Sequence, residues 1–461
     1  MKNQIKTNLI IIMLFIGFNS YCHNIDYSKT LSRHWDINKK TISASFLLMK
    51  NNQVYLQQEN NKIIHFPIEA FSKNDQKFII RKFHAIQKLN SKRDALYNNQ
   101  VNSTQIVSYK KYSVAFTLLL IFFIFAYYYF PKNKRVYVTL LSFAGIIAII
   151  NSLMFASCSK DNTSTADDKS LVTVPANLVA TLTSQFNSYS NVSTNSNASY
   201  FYVASNGIPT THEMMKNITA WIAQVPTPQP YIGNNSWSIP LQPVLSDSPI
   251  SISGNFQKGA IAIAVNGIPI FNPINASGLI SKDIGELDDF GGHCGRADDY
   301  HYHTAPLHLE AAAGLKPIAY AFDGFAAYGS KEPDGSSMLA LDAYHGHEWN
   351  GNYHYHGTTT YPFMIGSMRG KVTLDPNTVA PATQIIPQAR TIAFRNPPHS
   401  INSSNLIITS CVPNGTNNGY SLYYKVGAIP GSVLYSWTNT NYYTFIFNDV
   451  NGTQTTEYFQ R

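Results

Sequence analysis

The sequence has few cysteines and lacks the short motifs that identify most enzyme classes. Four cysteines in 461 residues are too few for a disulfide-based scaffold. There is no glycine-rich phosphate loop, no His-Glu-x-x-His helix and no nucleophile elbow of a Ser-His-Asp hydrolase. There is also no nucleic-acid-binding motif, so we expect no nucleic acid among the partners. None of these chemistries is therefore indicated.

Charged residues make up only 13% of the chain, and their signs are unevenly divided. Residues 23–111 hold 15 Lys or Arg against 6 Asp or Glu, whereas residues 136–461 hold 14 against 20. The net charge of +8 therefore describes neither part. Because the basic part adjoins hydrophobic segments, we interpret it as a face close to a membrane.

Histidine is concentrated in one region. Eight of the 14 histidines lie between positions 293 and 356, in two similar phrases, Gly292–His303 and Gly346–His356. Each phrase begins Gly-His and ends Tyr-His-Tyr-His, and each follows an aspartate, Asp288 or Asp342, placed five residues before its first histidine. Imidazole is the commonest side chain for binding transition metals, so the phrases indicate where the chemistry lies.

Each Tyr-His-Tyr-His is predicted to be a short strand, because tyrosine favours strands and the flanking Gly, Asn and Asp favour turns. Side chains alternate between the faces of a strand, so the two histidines share a face and can chelate one ion. The first histidine of each phrase could reach the same ion across the turn. Three histidines with an open position are typical of catalytic zinc and also suit copper or nickel. The candidate ligands are His293, His301, His303, His347, His354 and His356, with Cys294, His308 and His345 as secondary candidates.

Other interpretations stay open at this point. The same stripes could pack as ordinary amphipathic strands, or form a metal-free His/Asp site for proton transfer. The candidates for a general base are Asp298, Asp299 and Glu348. Asp288 and Asp342 could orient imidazoles, although capping of turns is the commoner role. If an approximate two-fold axis relates the phrases, we expect the two Tyr-His-Tyr-His strands to pair and to line one groove.

Around these phrases the chain resembles the YHYH domain family. The matching segments are 259–273, 285–293, 317–325, 332–335 and 369–370. The resemblance covers about 196–380 and implies an extracytoplasmic, mostly β domain, but it implies no particular activity. Where the family often has a small residue, this chain has Cys294, an extra soft ligand or half of a disulfide with Cys411.

The segment 31–90 resembles the SLA1 homology 1 type of small domain. The matching residues are Arg33–Trp35, Ala44–Phe46, Asn52–Leu56, Phe66–Ile68 and Phe71–Gln76. Strands are predicted at 43–49, 53–57 and 62–66, followed by a helix over about 73–89 with Ser72 as its N-cap. The resemblance implies an interaction module with a protein partner, and a structural spacer is the alternative.

Three apolar runs predict a membrane-anchored protein of the cell envelope. Leu9–Phe18 has the length of a signal peptide, and 112–130 and 136–157 are long enough to cross a bilayer. The basic loop Pro131–Arg135 between them should stay cytoplasmic, which places 159–461 outside. In a rival interpretation the second run is a lipoprotein signal and Cys158 accepts the lipid. Both make the membrane a partner.

The predicted fold class is mainly β, or α+β overall, with two transmembrane helices. The predicted domains are a signal or anchor at 1–22, a small β-rich module at 23–110, two membrane segments at 111–158, a Ser/Asn/Thr-rich linker at 159–195, the YHYH domain at 196–380 and a C-terminal β region at 381–461. Short helices are expected near 176–186 and 307–314. Alternating runs between 405 and 459 predict five further strands.

Three functions fit these features. The first is a metal-dependent enzyme, using zinc for hydrolysis or copper for oxidation. The second is a protein that handles zinc or copper without turnover. The third is a surface interaction or adhesion protein in which the near-repeat is only structural. Whether the chain is an enzyme is left open by the sequence.

Overall fold

The computed structural model describes residues 33–58, 62–92, 178–395, 405–438 and 441–461. These parts belong to one compact unit. The predicted signal segment, the runs 112–130 and 136–157 and the lipidation candidate Cys158 lie outside the described residues.

The fold class requires a correction. We expected two transmembrane helices, but in the described ranges no helix is both long and apolar enough to cross a bilayer. The helix over 73–92 (α1) is long, but six lysine or arginine side chains interrupt its apolar positions. The described chain is mainly β, so the fold class is restated without transmembrane helices.

The N-terminal part is a four-stranded antiparallel sheet followed by α1. Its strands lie in chain order and are β1 (Arg33–Ile37), β2 (Lys40–Lys50), β3 (Gln53–Gln57) and β4 (Ile63–Pro67). Trp35 is fully buried in the core and donates its indole N–H to the carbonyl of Ala44 at 2.6 Å. Ser72 caps α1 as predicted, accepting the backbone N–H of Asp75 at 3.2 Å. The predicted strands and helix agree with this, whereas β1 was not predicted.

The central part begins inside the predicted linker. Helix α2 (Leu178–Phe186) and strand β5 (Val192–Ser196) lie there, and β5 forms a three-stranded sheet with β6 (Tyr200–Ser205) and β7 (Trp237–Pro240). Phe186 is fully buried between Phe201 and Tyr320, so α2 packs into the core.

An eight-stranded sheet carries both histidine phrases. Its strands are β9 (Ala260–Ala264), β10 (Pro269–Phe271), β11 (Gly292–Cys294), β12 (Tyr300–Tyr302), β13 (Ala319–Ala321), β14 (Ala326–Tyr328), β15 (Gly346–Trp349) and β16 (Asn352–His356). The spatial order is β11-β12-β10-β9-β13-β14-β16-β15. A predicted short helix is present as a 3₁₀ turn at Leu307–Leu309 continuing into α3 (Glu310–Ala313). Two small sheets complete this part, pairing β8 (Leu245–Ser251) with β17 (Ser367–Gly370) and β18 (Thr373–Leu374) with β19 (Ile385–Ile386).

The eight-stranded sheet is internally duplicated. Each half contains a hairpin, β9–β10 or β13–β14. The second strand of the hairpin pairs in parallel with a Tyr-His-Tyr-His strand, β12 or β16, and that strand pairs antiparallel with an outer strand, β11 or β15. The halves meet where β9 pairs antiparallel with β13, and Ile263 lies opposite Tyr320, its counterpart in the other half. The sequences agree at this seam, Ile-Ala-Ile-Ala-Val-Asn-Gly at 261–267 and Ile-Ala-Tyr-Ala-Phe-Asp-Gly at 318–324. An approximate two-fold axis therefore passes between Ile263 and Tyr320.

The C-terminal part is a five-stranded antiparallel meander. Its strands are β20 (Leu406–Pro413), β21 (Gly419–Val426), β22 (Ile429–Trp437), β23 (Tyr442–Asn448) and β24 (Gln454–Gln460), in agreement with the five predicted strands. Arg395 precedes this sheet, packs over the ring of Phe445 on β23, and donates to both carboxylate oxygens of Asp298 in the first half of the central sheet at 2.6 Å. The Tyr435 hydroxyl also donates to the carbonyl of Pro226 at 2.6 Å.

Candidate metal centres

The first histidine phrase forms a cluster of three imidazoles, which we call the first centre: His293, His301 and His303. Register places His293 on β11 directly opposite His301 on β12, and His303 follows two residues later on the same face. The Nε2 atom of His303 lies 3.0 Å from Nε2 of His293 and 3.1 Å from Nε2 of His301. All three ligand atoms therefore converge on one point.

The protonation of these rings indicates that a cation belongs at that point. Nδ1 of His301 lies 2.9 Å from the carbonyl oxygen of Asp299, and Nδ1 of His303 lies 2.5 Å from that of Asn272. A carbonyl only accepts, so we assign the hydrogen of each neutral ring to Nδ1, which leaves Nε2 as a lone pair. Lone pairs facing each other at this distance repel. Tetrahedral zinc, bound at about 2.05 Å, would hold such nitrogens about 3.3 Å apart.

Protonation of His303 or His293 does not relieve this repulsion near neutral pH. Burial, followed by the neighbouring His301, lowers the pKa of His303 to about 3, against the partial effect of the Asn272 carbonyl. Burial, followed by His303 and His301, lowers the pKa of His293 well below its ordinary value. The apolar surroundings include Phe271, whose ring stacks on His301 with centroids 4.0 Å apart. His293 and His303 are therefore neutral near pH 7.

The second histidine phrase forms an equivalent cluster with one added carboxylate. This second centre consists of Glu332, His347, His354 and His356. Nε2 of His354 lies 2.9 Å from Nε2 of His356, and Nε2 of His347 lies 3.2 Å from the Glu332 carboxylate. The oxygen Oε2 of Glu332 lies 3.3 Å from Nε2 of His354 and 3.5 Å from Nε2 of His356. His356 donates its Nδ1 hydrogen to the carbonyl of Gly329 at 2.7 Å, as its counterpart His303 does to Asn272.

Glu332 is a fully buried carboxylate at 0% exposure, and such a group needs compensation. Burial alone would raise the pKa of Glu332, but the N–H of Leu339 and the imidazoles of His356 and His347 outweigh it and lower the pKa. Burial, followed by His356 and His347, lowers the pKa of His354 to about 4. An ionised glutamate thus faces the neutral imidazoles of His354 and His356, which is a donor set suited to a divalent cation.

The tyrosines of both phrases point to the opposite face of the strand and anchor it. Tyr300 donates its hydroxyl hydrogen to Asp288 at 2.7 Å, and Tyr353 lies 3.1 Å from both carboxylate oxygens of Asp342. Asp288 and Asp342 also accept the backbone N–H of Gly292 and of Gly346. The two aspartates therefore cap turns and hold tyrosines rather than orienting the histidine ligands.

The structure brings together the six primary candidate ligands, as two separate groups of three among the described residues. It does not pair the two Tyr-His-Tyr-His strands, and that prediction was wrong. Four strands separate β12 from β16. Each of these two strands pairs with the hairpin of its own half, on the side away from the other half. The two clusters are therefore distinct sites and do not line one groove.

The secondary candidates lie outside both groups. His308 lies on the tyrosine face, with Nε2 3.3 Å from the Tyr302 hydroxyl. His345 contacts the Thr358 hydroxyl through Nε2 at 3.0 Å. Cys294 and Cys411 are both buried and free, so neither the extra soft ligand nor the disulfide is found.

The candidate bases have different surroundings. Asp298 is committed to Arg395 in the buried ion pair. Glu348 is exposed on β15. Oδ2 of Asp299 lies 3.3 Å from Nδ1 of His301, on the side of the ring opposite Nε2. Asp299 therefore helps to orient His301 as a candidate ligand. None of the three belongs to a metal-binding group.

Glu332 was missed as a ligand by the sequence reasoning, although its segment was recognised as part of the family pattern. It lies fifteen residues before His347, so spacing within the phrases could not identify it. The internal duplication was the available signal. Extending the alignment of 261–267 with 318–324 without a gap pairs Asn275 with Glu332, so that one half has an amide where the other has a carboxylate.

Comparisons with known proteins add one positive finding. A family model described as YHYH protein matches residues 236–340, which include the whole first centre and Glu332. The match ends before the second histidine phrase, a narrower range than the motifs had indicated. Neither a curated protein nor a solved structure matches the chain.

Proposed function

We propose that this chain, which carries a YHYH domain, binds two transition-metal ions, one in each half of its central sheet. The observation that carries the proposal is the convergence of Nε2 lone pairs whose rings have already given their Nδ1 hydrogens to carbonyl groups. Without a cation or proton between them, such lone pairs destabilise the fold. A cluster of converging imidazoles occurs in both halves of the duplicated sheet, which makes ordinary packing a poor explanation.

Zinc is the metal that the ligands favour, and copper is second. Imidazole binds zinc, copper and nickel alike, but three imidazoles with one carboxylate in the second centre match the borderline character of zinc. The three imidazoles of the first centre suit either zinc or copper. No general base is assigned at either centre, so binding is proposed here without a turnover reaction.

A location in the cell envelope, a membrane partner and a protein partner of the N-terminal module remain our predictions from the sequence. Their support is the apolar runs and the resemblances described above. Two hydrogen bonds join α1 of the N-terminal module to the central part of the chain. Lys82 of α1 donates to the carbonyl of Thr219 at 2.9 Å, and Asn90 donates to that of Lys282 at 3.0 Å. The helix therefore contacts the central part of the same chain.

Elemental analysis of the full chain tests the proposal. After exposure to zinc or copper and removal of loose metal, we expect two equivalents of bound metal per chain. His303→Ala and His356→Ala should each bind one equivalent, and the double variant should bind none.

The matched control is His345→Asn, which changes a histidine of the second phrase outside the cluster. Asparagine tolerates the positive φ of 74° found there. The control should keep both metals. A wild-type chain that binds no metal, or variants that lose none, would refute the proposal.

A further inference from the structure

The two centres differ at a single ligand position of the duplicated backbone. An isolated bridge pairs Ile274 with Ile280 in the first half, and the equivalent bridge pairs Lys331 with Ser337 in the second. Each bridge encloses a tight turn, which begins at Asn275 in the first half and at Glu332 in the second. The turns share their hydrogen bonds, from Asn275 N to Leu279 O at 2.8 Å and from Glu332 N to Ser336 O at 3.1 Å.

The Asn275 side chain is committed elsewhere. Its Oδ1 accepts the backbone N–H of Ser277 at 2.9 Å, and its Nδ2 donates to the Glu286 carboxylate at 3.1 and 3.3 Å. Asparagine is also one methylene shorter than glutamate. The first centre therefore has three protein ligand atoms where the second has four.

Charge strengthens the distinction. The three imidazole ligands of the first centre carry no charge, whereas Glu332 contributes one negative charge to the second. Two carboxylates lie near His301, but neither belongs to the converging ligand atoms: Asp299 lies at the Nδ1 side of the ring, and Glu286, whose charge interacts with His301, accepts the side-chain amide of Asn275. Three-ligand zinc sites with an open position bind water or substrate there, and four-ligand sites do not.

Resting on the two-metal function proposed above, we infer that the first centre holds its metal with an exchangeable fourth ligand, a water, a hydroxide or a small anion. The second centre closes its coordination with Glu332. The halves thus differ in role: one metal is accessible to an external ligand, and the other is sealed into the protein.

Cobalt(II) loading of the full chain, followed by titration with azide, tests the inference. Tetrahedral cobalt has visible absorption bands that respond to a change of ligand. His356→Ala leaves only the first centre, and its cobalt spectrum should change with azide and saturate. His303→Ala leaves only the second centre, and its spectrum should not respond.

A ligand exchange between the halves provides the stricter test. In the His303→Ala background, Glu332→Gln should open the second centre and create an azide response. In the His356→Ala background, Asn275→Glu with Glu286→Gln should close the first centre and abolish its response. Glu286→Gln leaves only one carboxylate in the pair formed by positions 275 and 286, which avoids repulsion between two carboxylates.

The outcomes separate the two proposals. Cobalt bound at both centres with equal azide responses, or with none, would overturn the inference while leaving metal binding intact. Failure of both single-centre variants and of the wild type to bind cobalt would overturn the two-metal function, and this inference with it. Circular dichroism of each variant establishes that a lost response is not a lost fold.

Discussion

The two halves of the central sheet share their strand order, their turns and the placement of three histidines, yet their surroundings differ. In the first half, the turn between β11 and β12 holds Asp298, which forms a buried ion pair with Arg395. The corresponding turn of the second half, at Asn350 and Gly351, is exposed. The first half also lacks the carboxylate that completes the second centre. The two halves thus share the geometry of their histidine clusters, whereas the structural support and the carboxylate beside the cluster differ.

The largest expected difference concerns acid stability of the metal-free chain. Burial lowers the pKa of His212 and of His303 to about 3 in the first half, and the pKa of His345 and of His354 to about 4 in the second, from 6.5. The unfolded chain therefore binds more protons below pH 6.5, so the free energy of unfolding is complete above that pH and falls as the pH drops. The four shifts together amount to about 12 pKa units, so the combined loss by pH 3 should be on the order of 10 kcal/mol.

Hydrogen exchange with chelator present would resolve the halves. Protection of β12 should keep falling from about pH 6.5 to about 3, and that of β16 should level off near pH 4. Saturating zinc should remove most of this dependence near pH 6. Protection that does not change between pH 6.5 and 4 would contradict the neutral, buried state of these histidines.

The next largest effect is the loss of the buried ion pair that supports the first half. Arg395→Met should lower the free energy of unfolding by about 3–5 kcal/mol, because Asp298 would remain buried without its partner. The measurement is chemical denaturation at neutral pH. Asn350→Gly, in the exposed turn of the second half, is the control and should change stability by less than about 0.5 kcal/mol. Equal losses of unfolding free energy in Arg395→Met and Asn350→Gly would argue against a difference in structural support between the two halves.

A smaller difference between the halves concerns the hydroxyl groups of Tyr302 and Tyr355, which lie on the face of their strands opposite the histidines. Tyr355 donates to the buried carboxylate of Asp323 at 2.5 Å and accepts the N–H of Arg369 at 2.8 Å, whereas Tyr302 accepts from the neutral amide of Asn266 at 2.9 Å. Tyr355→Phe should therefore cost about 1.5–3 kcal/mol and Tyr302→Phe about 0.5–1.5 kcal/mol. Thermal unfolding of the two variants measures both, and a reversed order would contradict the assigned bonds.

Local patterns in the sequence predicted much of this structure. Alternation of tyrosine and histidine predicted the strands and their histidine faces, and turn residues delimited the five C-terminal strands. The reach of His293 and His347 across their turns followed from the same spacing. These features depend on residues close together in the chain, where the strand period determines what lies adjacent.

Features that depend on tertiary connection were not predictable in the same way. The pairing of the two phrases was expected and is absent in the described sheet, because the seam lies between β9 and β13. Glu332 reaches the second centre through a turn far from His347 in the chain, and no local pattern marks it. The ion pair between Asp298 and Arg395 joins residues almost a hundred positions apart.

The most direct test of the central claim is anomalous diffraction at the zinc edge from crystals of the zinc-loaded chain. We expect two peaks, one among Nε2 of His293, His301 and His303 and one among His347, His354, His356 and the Glu332 carboxylate. The first ion should have a non-protein fourth ligand, and the second should have four protein ligands. Density without a peak at either cluster, or an ion bound elsewhere with both clusters empty, would contradict the central claim.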